Sequence, residues 1–587
     1  MVLRSISARW VLVRVFVFAA SITNPSRLSA QQAPAEALTP TIRANTRLIL
    51  VDVVVTDKKN AAILGLKAQD FSLEENGKKQ KISVFTTPEE AAKGTAPPSL
   101  PPGVYSNSPE YRSPGGPITV FVLDAANTPF IDQAYGRLQM LKYVQEQNTP
   151  HQRVATFTLT DGLQLLQDFT SDPQVLVSAL QQYQPQQPVQ EAVKSSAGAI
   201  SPADPGSLRA GTASLIQEVT NQVRNFQSVQ LAYLLERRTE TTLYAMRSLA
   251  RALAGMPGRK EVIWLTAAFP FDLMPEDRSV TEAEASLLQQ GVRQAGLETR
   301  ASGSMAETGR LAHREEIRQA AAQLAAAQVA LYPVDVRGLA SGMEISFGQT
   351  NLHSAMDISS VAQVKMSDIA SDQETMRALA SETGGKAYVN QNEIRVGIEI
   401  AVADNAAAYT LGYYPEDKKW NGKYRNLKVK VNHEGAQTRH RKGYFAVDTL
   451  QTKDRRPDQE LAEALNTSIP STLVFFKAQV KRPEKDKLHV AFLVDAHSLS
   501  ASDSAGKKKL NLDLYAAVFS PSGKMLSNGS LKVDQELAGD VYQQVLQKGM
   551  LVPMDIGFPP GGNNQLRLAV RDNVTGNIGT INALLTE

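Results

Sequence analysis

Four apolar runs constrain most strongly what this chain can fold into: PITVFVLD (117–124), RVATFTLTD (153–161), GRKEVIWLT (258–266) and VALYPVDV (329–336). The first is apolar without interruption, as expected of a strand covered on both faces. Between these strands lie stretches of helical spacing: IDQAYGRLQMLKYVQEQ (131–147), SDPQVLVSALQQY (171–183), about 213–255, and HREEIRQAAAQLAAAQ (313–328). Ser171 or Asp172 opens the second of these, with Pro173 in its first turn. Strands alternating with helices predict right-handed crossovers and a doubly wound, mostly parallel α/β sheet. Ligands of such sheets bind beyond the carboxyl ends of the strands, so Asp124 would sit at the ligand edge.

The chemistry on either side differs. TRLILVDVVVTDKKN (46–60) and KAQDFSLEENGKKQKISVF (67–85) read as strands, with Asn76-Gly77 as a hairpin turn, so 43–86 is a small β module. The segment 87–116 is rich in Pro, Gly and Ser and reads as a linker. The α/β domain is assigned to 117–405, with insertions near 184–212 and 338–368, the second of them an irregular loop. SDQETMRALASETGGKAYV (371–389) reads as a helix and a strand, EIRVGIEIAVADN (393–405) as a helix, and 406–447 as a β extension. After a polar linker at 448–469, short strands recur over 470–587, which predicts an antiparallel β-sandwich.

Arg4 and Arg9, the apolar WVLVRVFVFAAS (10–21) and Leu28-Ser29-Ala30 make residues 1–30 read as a cleaved secretory signal, followed by a linker at 31–42. The expectation is therefore an exported protein, periplasmic or extracellular, with no membrane span after cleavage. The formal charge is +3, and removing Arg4, Arg9, Arg14 and Arg27 gives 3 − 4 = −1. That leaves no basic excess of the kind that binds nucleic acid. The chain has no cysteine, which excludes disulfides, thiolate metal sites and a cysteine nucleophile.

Taken together, PITVFVLD, RVATFTLTD, TETTLYAMRSLARALA (239–254), GRKEVIWLT and VALYPVDV resemble a von Willebrand factor type A domain, a Rossmann-like fold. The wider region 43–447, with its YTLGYYP and YRNLKVKV segments, resembles exported von Willebrand-A-related proteins of acidobacteria. The resemblance implies a metal-ion-dependent adhesion site of the form Asp-x-Ser-x-Ser, a later Thr, and an Asp after the fourth strand. Here the first element reads Asp124-Ala125-Ala126-Asn127-Thr128. The later Thr is Thr239, Thr241 or Thr242, of which Thr242 is taken as the candidate, and Thr266-Ala267-Ala268 follows the fourth strand. The candidate ligands are thus Asp124, Asn127, Thr128 and Thr242, in a site degenerate at Ala126 and Ala267. One carboxylate offsets little of the cost of dehydrating Mg²⁺. The expectation is no cofactor, with Mg²⁺ as the alternative. Asp124 is expected instead to accept backbone hydrogen bonds in its turn, with Asn127 and Thr128 starting the next helix. Asp335 is a second strand-end carboxylate, expected to pair with Arg337 or to line the upper face, in a structural role.

The seven histidines are scattered and form no HExxH pattern, and no GxSxG or Walker A motif is present. The resulting expectation is a non-enzymatic protein-binding or adhesion-type module with an unidentified protein partner. The alternatives are an envelope-assembly scaffold without ligand and a hydrolase whose site the sequence does not reveal.

Overall fold

The computed structural model describes residues 48–91, 99–108, 111, 117–146, 153–186, 210–271, 314–338, 355–446, 461, 464–465, 469–504, 507–559 and 564–585. The export signal, the 31–42 linker and most of the 184–212 insertion and 448–469 linker lie outside these residues. Among them the protein is mixed α/β, with several antiparallel sheets and one mixed sheet.

The mixed sheet is built from the four apolar runs. Its order is Val329–Asp335, Lys260–Thr266, Ile118–Asp124, Arg153–Leu159 and Leu163–Thr170. The first four strands run parallel, and the last pairs antiparallel with Arg153–Leu159. Every residue of the four parallel strands is buried. Period-two alternation sends Val120, Val122, Val262 and Trp264 to one core, shared with Leu243, Met246, Leu249, Ile317 and Leu324. It sends Phe121, Leu123, Ile263 and Leu265 to another, shared with Met140, Tyr143, Leu180, Ile398 and Ala401. The Pro173–Gln182 helix is capped by Asp172, which accepts from the Gln174 N–H at 2.9 Å.

Three segments differ from the sequence reading. Helix Ala355–Thr383 occupies ground assigned to an irregular loop at 338–368; its Ser- and Asp-studded sequence carries no clean apolar period. The described residues of the predicted 43–86 module and 406–447 extension, 48–86 and 406–446, form one two-sheet unit. One sheet orders Gln437–Arg439, Ile49–Thr56, Ala408–Tyr413 and Ile82–Thr86; the other orders Gly443–Phe445, Tyr424–Val431, Phe71–Glu75 and Lys78–Gln80. Val51, Val53, Leu73, Tyr409, Leu411, Tyr413 and Val429 share its core. The chain leaves this sandwich after Thr86 and returns at Ala408. Its hairpin turns at Asn76-Gly77, both at positive φ (48° and 78°).

The third difference lies in the 87–116 linker. Val104–Ser106 is a strand that pairs with Lys477–Gln479 of the C-terminal sandwich. The buried Asn107 Nδ2 donates to Val474 O (2.7 Å), and its Oδ1 accepts from Phe476 N–H (2.9 Å). One sheet of that sandwich orders Met550–Gly557, Lys487–Val494, Phe476–Glu484 and Val104–Ser106. The other contains Ser502–Ser504, Lys507–Phe519, Asn564–Asp572 and Ile578–Leu585, with Met525–Leu537 paired to Lys507–Phe519. The sandwich abuts the α/β region at Gly255, whose N–H donates to Thr472 Oγ1 at 3.0 Å. A Cβ there would lie 2.1 Å from Thr472 O, so only glycine permits this approach.

Candidate functional site

Asp124 closes its strand between Leu159 and Thr266, and the chain then turns sharply. The Ala125 and Ala126 N–H groups both donate to Leu159 O, at 2.8 and 2.9 Å. This fold-back brings Asn127 over the carboxylate. The Asn127 backbone N–H donates to Asp124 Oδ1 (2.9 Å), and its Nδ2 reaches Oδ1 (3.1 Å) and Oδ2 (2.9 Å). Trp264 Nε1, from the neighbouring strand, donates to Oδ2 at 2.9 Å. Burial raises the Asp124 pKa from its ordinary value, against the lowering effect of the bonds from Trp264 and Asn127.

Asn127 then links this strand end to the Ala210–Leu253 helix. Its Nδ2 lies 3.0 Å from Thr242 Oγ1, and its Oδ1 accepts from Arg238 Nε at 2.9 Å. Thr242 is thus the threonine that meets the cluster. Thr239 Oγ1 is turned to Leu235 O and Pro270 O instead. Thr128 is separate too: its Oγ1 accepts from the Ala267 N–H at 3.1 Å and ties the two strand-end loops together. Asn127 and Thr128 do not start the next helix, which begins at Phe130. Their side chains are committed to tertiary bonds, so they have none to spare for capping.

The arrangement is a closed polar network. One amide nitrogen stands among Asp124 Oδ1, Asp124 Oδ2 and Thr242 Oγ1, the oxygens a hard cation would need. Among the described residues no group of three or more His, Cys, Asp or Glu side chains is placed to hold a metal. The positive charge near Asp124 is the Arg238 guanidinium, whose pKa burial lowers while Asp124 and Asp372 raise it. Asp335 is satisfied in a similar way. Arg337 makes a bidentate pair with it (2.9 and 3.0 Å), and Gln373 Nε2 donates to it at 3.2 Å. Arg337 also bonds Asp372 at 2.8 Å.

The sequence reading missed two members of this network, Arg238 and Trp264. Arg238 lies four residues before Thr242 and therefore on the same helix face, a spacing visible in ERRTETT. Trp264 stands opposite Val122 in the parallel register, two residues short of the strand end.

Replacing Asp124 with alanine leaves the Trp264 indole and the Asn127 amide buried without their acceptor. The expected loss of stability is about 2–4 kcal/mol, read from denaturant unfolding. A loss below about 1 kcal/mol would show that the network does not hold the turn.

No known family model matches the chain, and no curated protein matches it. Solved structures similar to parts of it include an aerotolerance-related membrane protein from Bacteroides fragilis. That likeness has 10% identity and TM-score 0.22, and covers 49% of this chain and 99% of the other. BatB from Bacteroides thetaiotaomicron, described as a conserved hypothetical protein, has 12% identity and TM-score 0.21, covering 50% of this chain and 99% of BatB. The human COPII-coat protein Sec24c has 11% identity and TM-score 0.18, covering 82% of this chain and 46% of Sec24c. At these TM-scores the likenesses carry no argument about function. Among the described residues no helix is long and apolar enough to cross a membrane.

Proposed function

We propose that the chain is an exported, non-enzymatic protein-binding module. Its von Willebrand factor A-like, doubly wound core meets a protein partner at the strand-end face without a metal ion. The observation that carries this reading is apolar exposure at that face. Phe130 and Ile131, at the start of the helix that follows the Asp124 turn, are 46% and 78% exposed, and Leu138 further along it is 49% exposed. Apolar side chains exposed side by side at the ligand end of an α/β sheet, as Phe130 and Ile131 are, mark a contact surface. The four parallel strands, with Asp124 ending an inner one, support the type A reading. The Asn127 amide among Asp124 and Thr242 supports recognition independent of Mg²⁺.

A second reading, an assembly scaffold without a ligand, draws support from the seating of Gly255 against Thr472 and of Val104–Ser106 in the C-terminal sheet. One experiment separates the two: pull-down from envelope extracts with the full chain, in Mg²⁺ and in EDTA, beside an Ile131→Asp variant of unchanged melting temperature. A binding module captures a partner equally in both buffers and loses it on Ile131→Asp. Capture that EDTA abolishes would restore a metal-dependent site. Capture that ignores Ile131→Asp would place recognition elsewhere, and no capture at all would favour the scaffold.

A further inference from the structure

We propose that the junction between the central sheet and the N-terminal sandwich holds one small monovalent anion of halide size, clamped between Arg259 and Arg441. A cavity of about 10 Å³ lies there, lined among others by Asp52, Arg259, Gln328, Thr383 and Arg441. That is room for one occupant about the size of a water molecule. Sulfate or phosphate does not fit it.

Both arginines are almost completely buried, at 8% and 7% exposure. Arg259 Nη2 donates to Tyr332 OH and Gly384 O, each at 3.0 Å. Arg441 Nη2 donates to Leu50 O at 2.7 Å. The Nε–H of each has no acceptor among the described residues. Two buried, unanswered guanidinium N–H groups beside one cavity are costly unless something accepts from them.

Charge decides what that something is. Asp52 is the one carboxylate lining the cavity. It accepts from neutral donors, Gln328 Nε2 at 3.1 Å and Thr410 Oγ1 at 2.6 Å. Asp404, the next acid, is paired with Arg439 at 2.7 Å. Two guanidiniums therefore face one carboxylate, and a buried positive charge remains over. A water molecule would accept the hydrogen bonds but leave the charge. A halide does both, and it would bridge the central sheet, through Arg259, to the sandwich, through Arg441.

The test uses the full chain. Its melting temperature is measured in sodium chloride, bromide and gluconate at equal ionic strength, and bromide-grown crystals are examined for anomalous scattering. The expected results are a rise of about 1–3 °C in either halide over gluconate and a bromide peak between Arg259 and Arg441. Arg441→Met should abolish the halide response. Should that variant fail to fold, Asp52→Asn increases the positive excess and should lower the half-saturating halide concentration about tenfold. Equal melting in all three salts with water alone in the cavity overturns the proposal. So does weaker halide binding in Asp52→Asn.

Discussion

Replacing Glu75 with alanine is expected to cost the protein about 3–5 kcal/mol, enough to open the N-terminal sandwich. Glu75 is 4% exposed, and its carboxylate is the common acceptor of a buried cluster. Arg425 Nη1 donates to Oε1 at 3.0 Å and Tyr444 OH to Oε2 at 2.9 Å, and Tyr413 OH also donates to Oε2. The Arg425 guanidinium lies over the rings of Trp420 and Tyr444, 5.4 and 5.8 Å from their centroids. Alanine leaves a buried cation and two phenols facing a void. Taking the cation away as well should recover part of the loss, so Glu75→Leu with Arg425→Met should be more stable than Glu75→Ala alone. Urea midpoints for the two variants decide this. A Glu75→Ala loss below about 1 kcal/mol, or a double variant no better than the single, would mean that the sandwich does not rest on this cluster.

Glu75 also illustrates what was legible in the sequence. It precedes Asn76-Gly77, and that turn signal was readable because only the local dihedral requirement is involved. Its partners Arg425 and Tyr413 lie more than three hundred positions away, and no local pattern announces them. The same limit hid the union of 48–86 with 406–446: Val51 pairs with Leu411 through a register that side-chain periodicity cannot disclose. The parallel strands were legible because burial on both faces leaves an unbroken apolar run. Leu163–Thr170 was not, since an edge strand exposed along part of its length carries Gln164, Gln167 and Asp168. Val104–Ser106 was masked by the prolines around it.

At the candidate site the division is similar. Asp124 and its turn followed from the strand-end position, and the Asp335–Arg337 pair from proximity in the chain. The bonds that define the cluster come from two other elements: Arg238 and Thr242 on a helix, and Trp264 on the adjacent strand. A strand tryptophan is read as core by default, and only the tertiary arrangement shows its indole N–H reaching Asp124 Oδ2.

The second large effect is expected in the pH dependence of stability, and it arises at the beginning of the Lys260–Thr266 strand. Burial pushes the Glu261 carboxyl from 4.5 up to about 8, with the Thr119 hydrogen bond and Arg259 opposing and Asp404 adding to the rise. Burial pulls the Lys260 ammonium from 10.5 down to about 7, with Asp52 opposing and Arg153 assisting. For Glu261 the folded pKa lies above the unfolded one. Between about pH 4.5 and 8 the native state retains a proton that the unfolded chain has lost, so stability falls as pH rises through that window. For Lys260 the folded pKa lies below the unfolded one. Between about pH 7 and 10.5 the unfolded chain holds the extra proton, so stability recovers as pH rises. The two windows overlap near pH 7–8, where the pair contributes least. Each limb is worth several kcal/mol, since one pKa unit corresponds to about 1.4 kcal/mol. Unfolding free energies measured from about pH 5 to 10 should therefore pass through a minimum near neutrality, where many proteins are most stable. Glu261→Gln should remove most of the acid limb, to which the raised Asp124 carboxyl also contributes, and leave the alkaline limb; Lys260→Met should do the reverse. A wild-type maximum at pH 7–8, or a Glu261→Gln profile that falls between pH 5 and 7 as steeply as the wild type, would show that these two groups do not set the pH response.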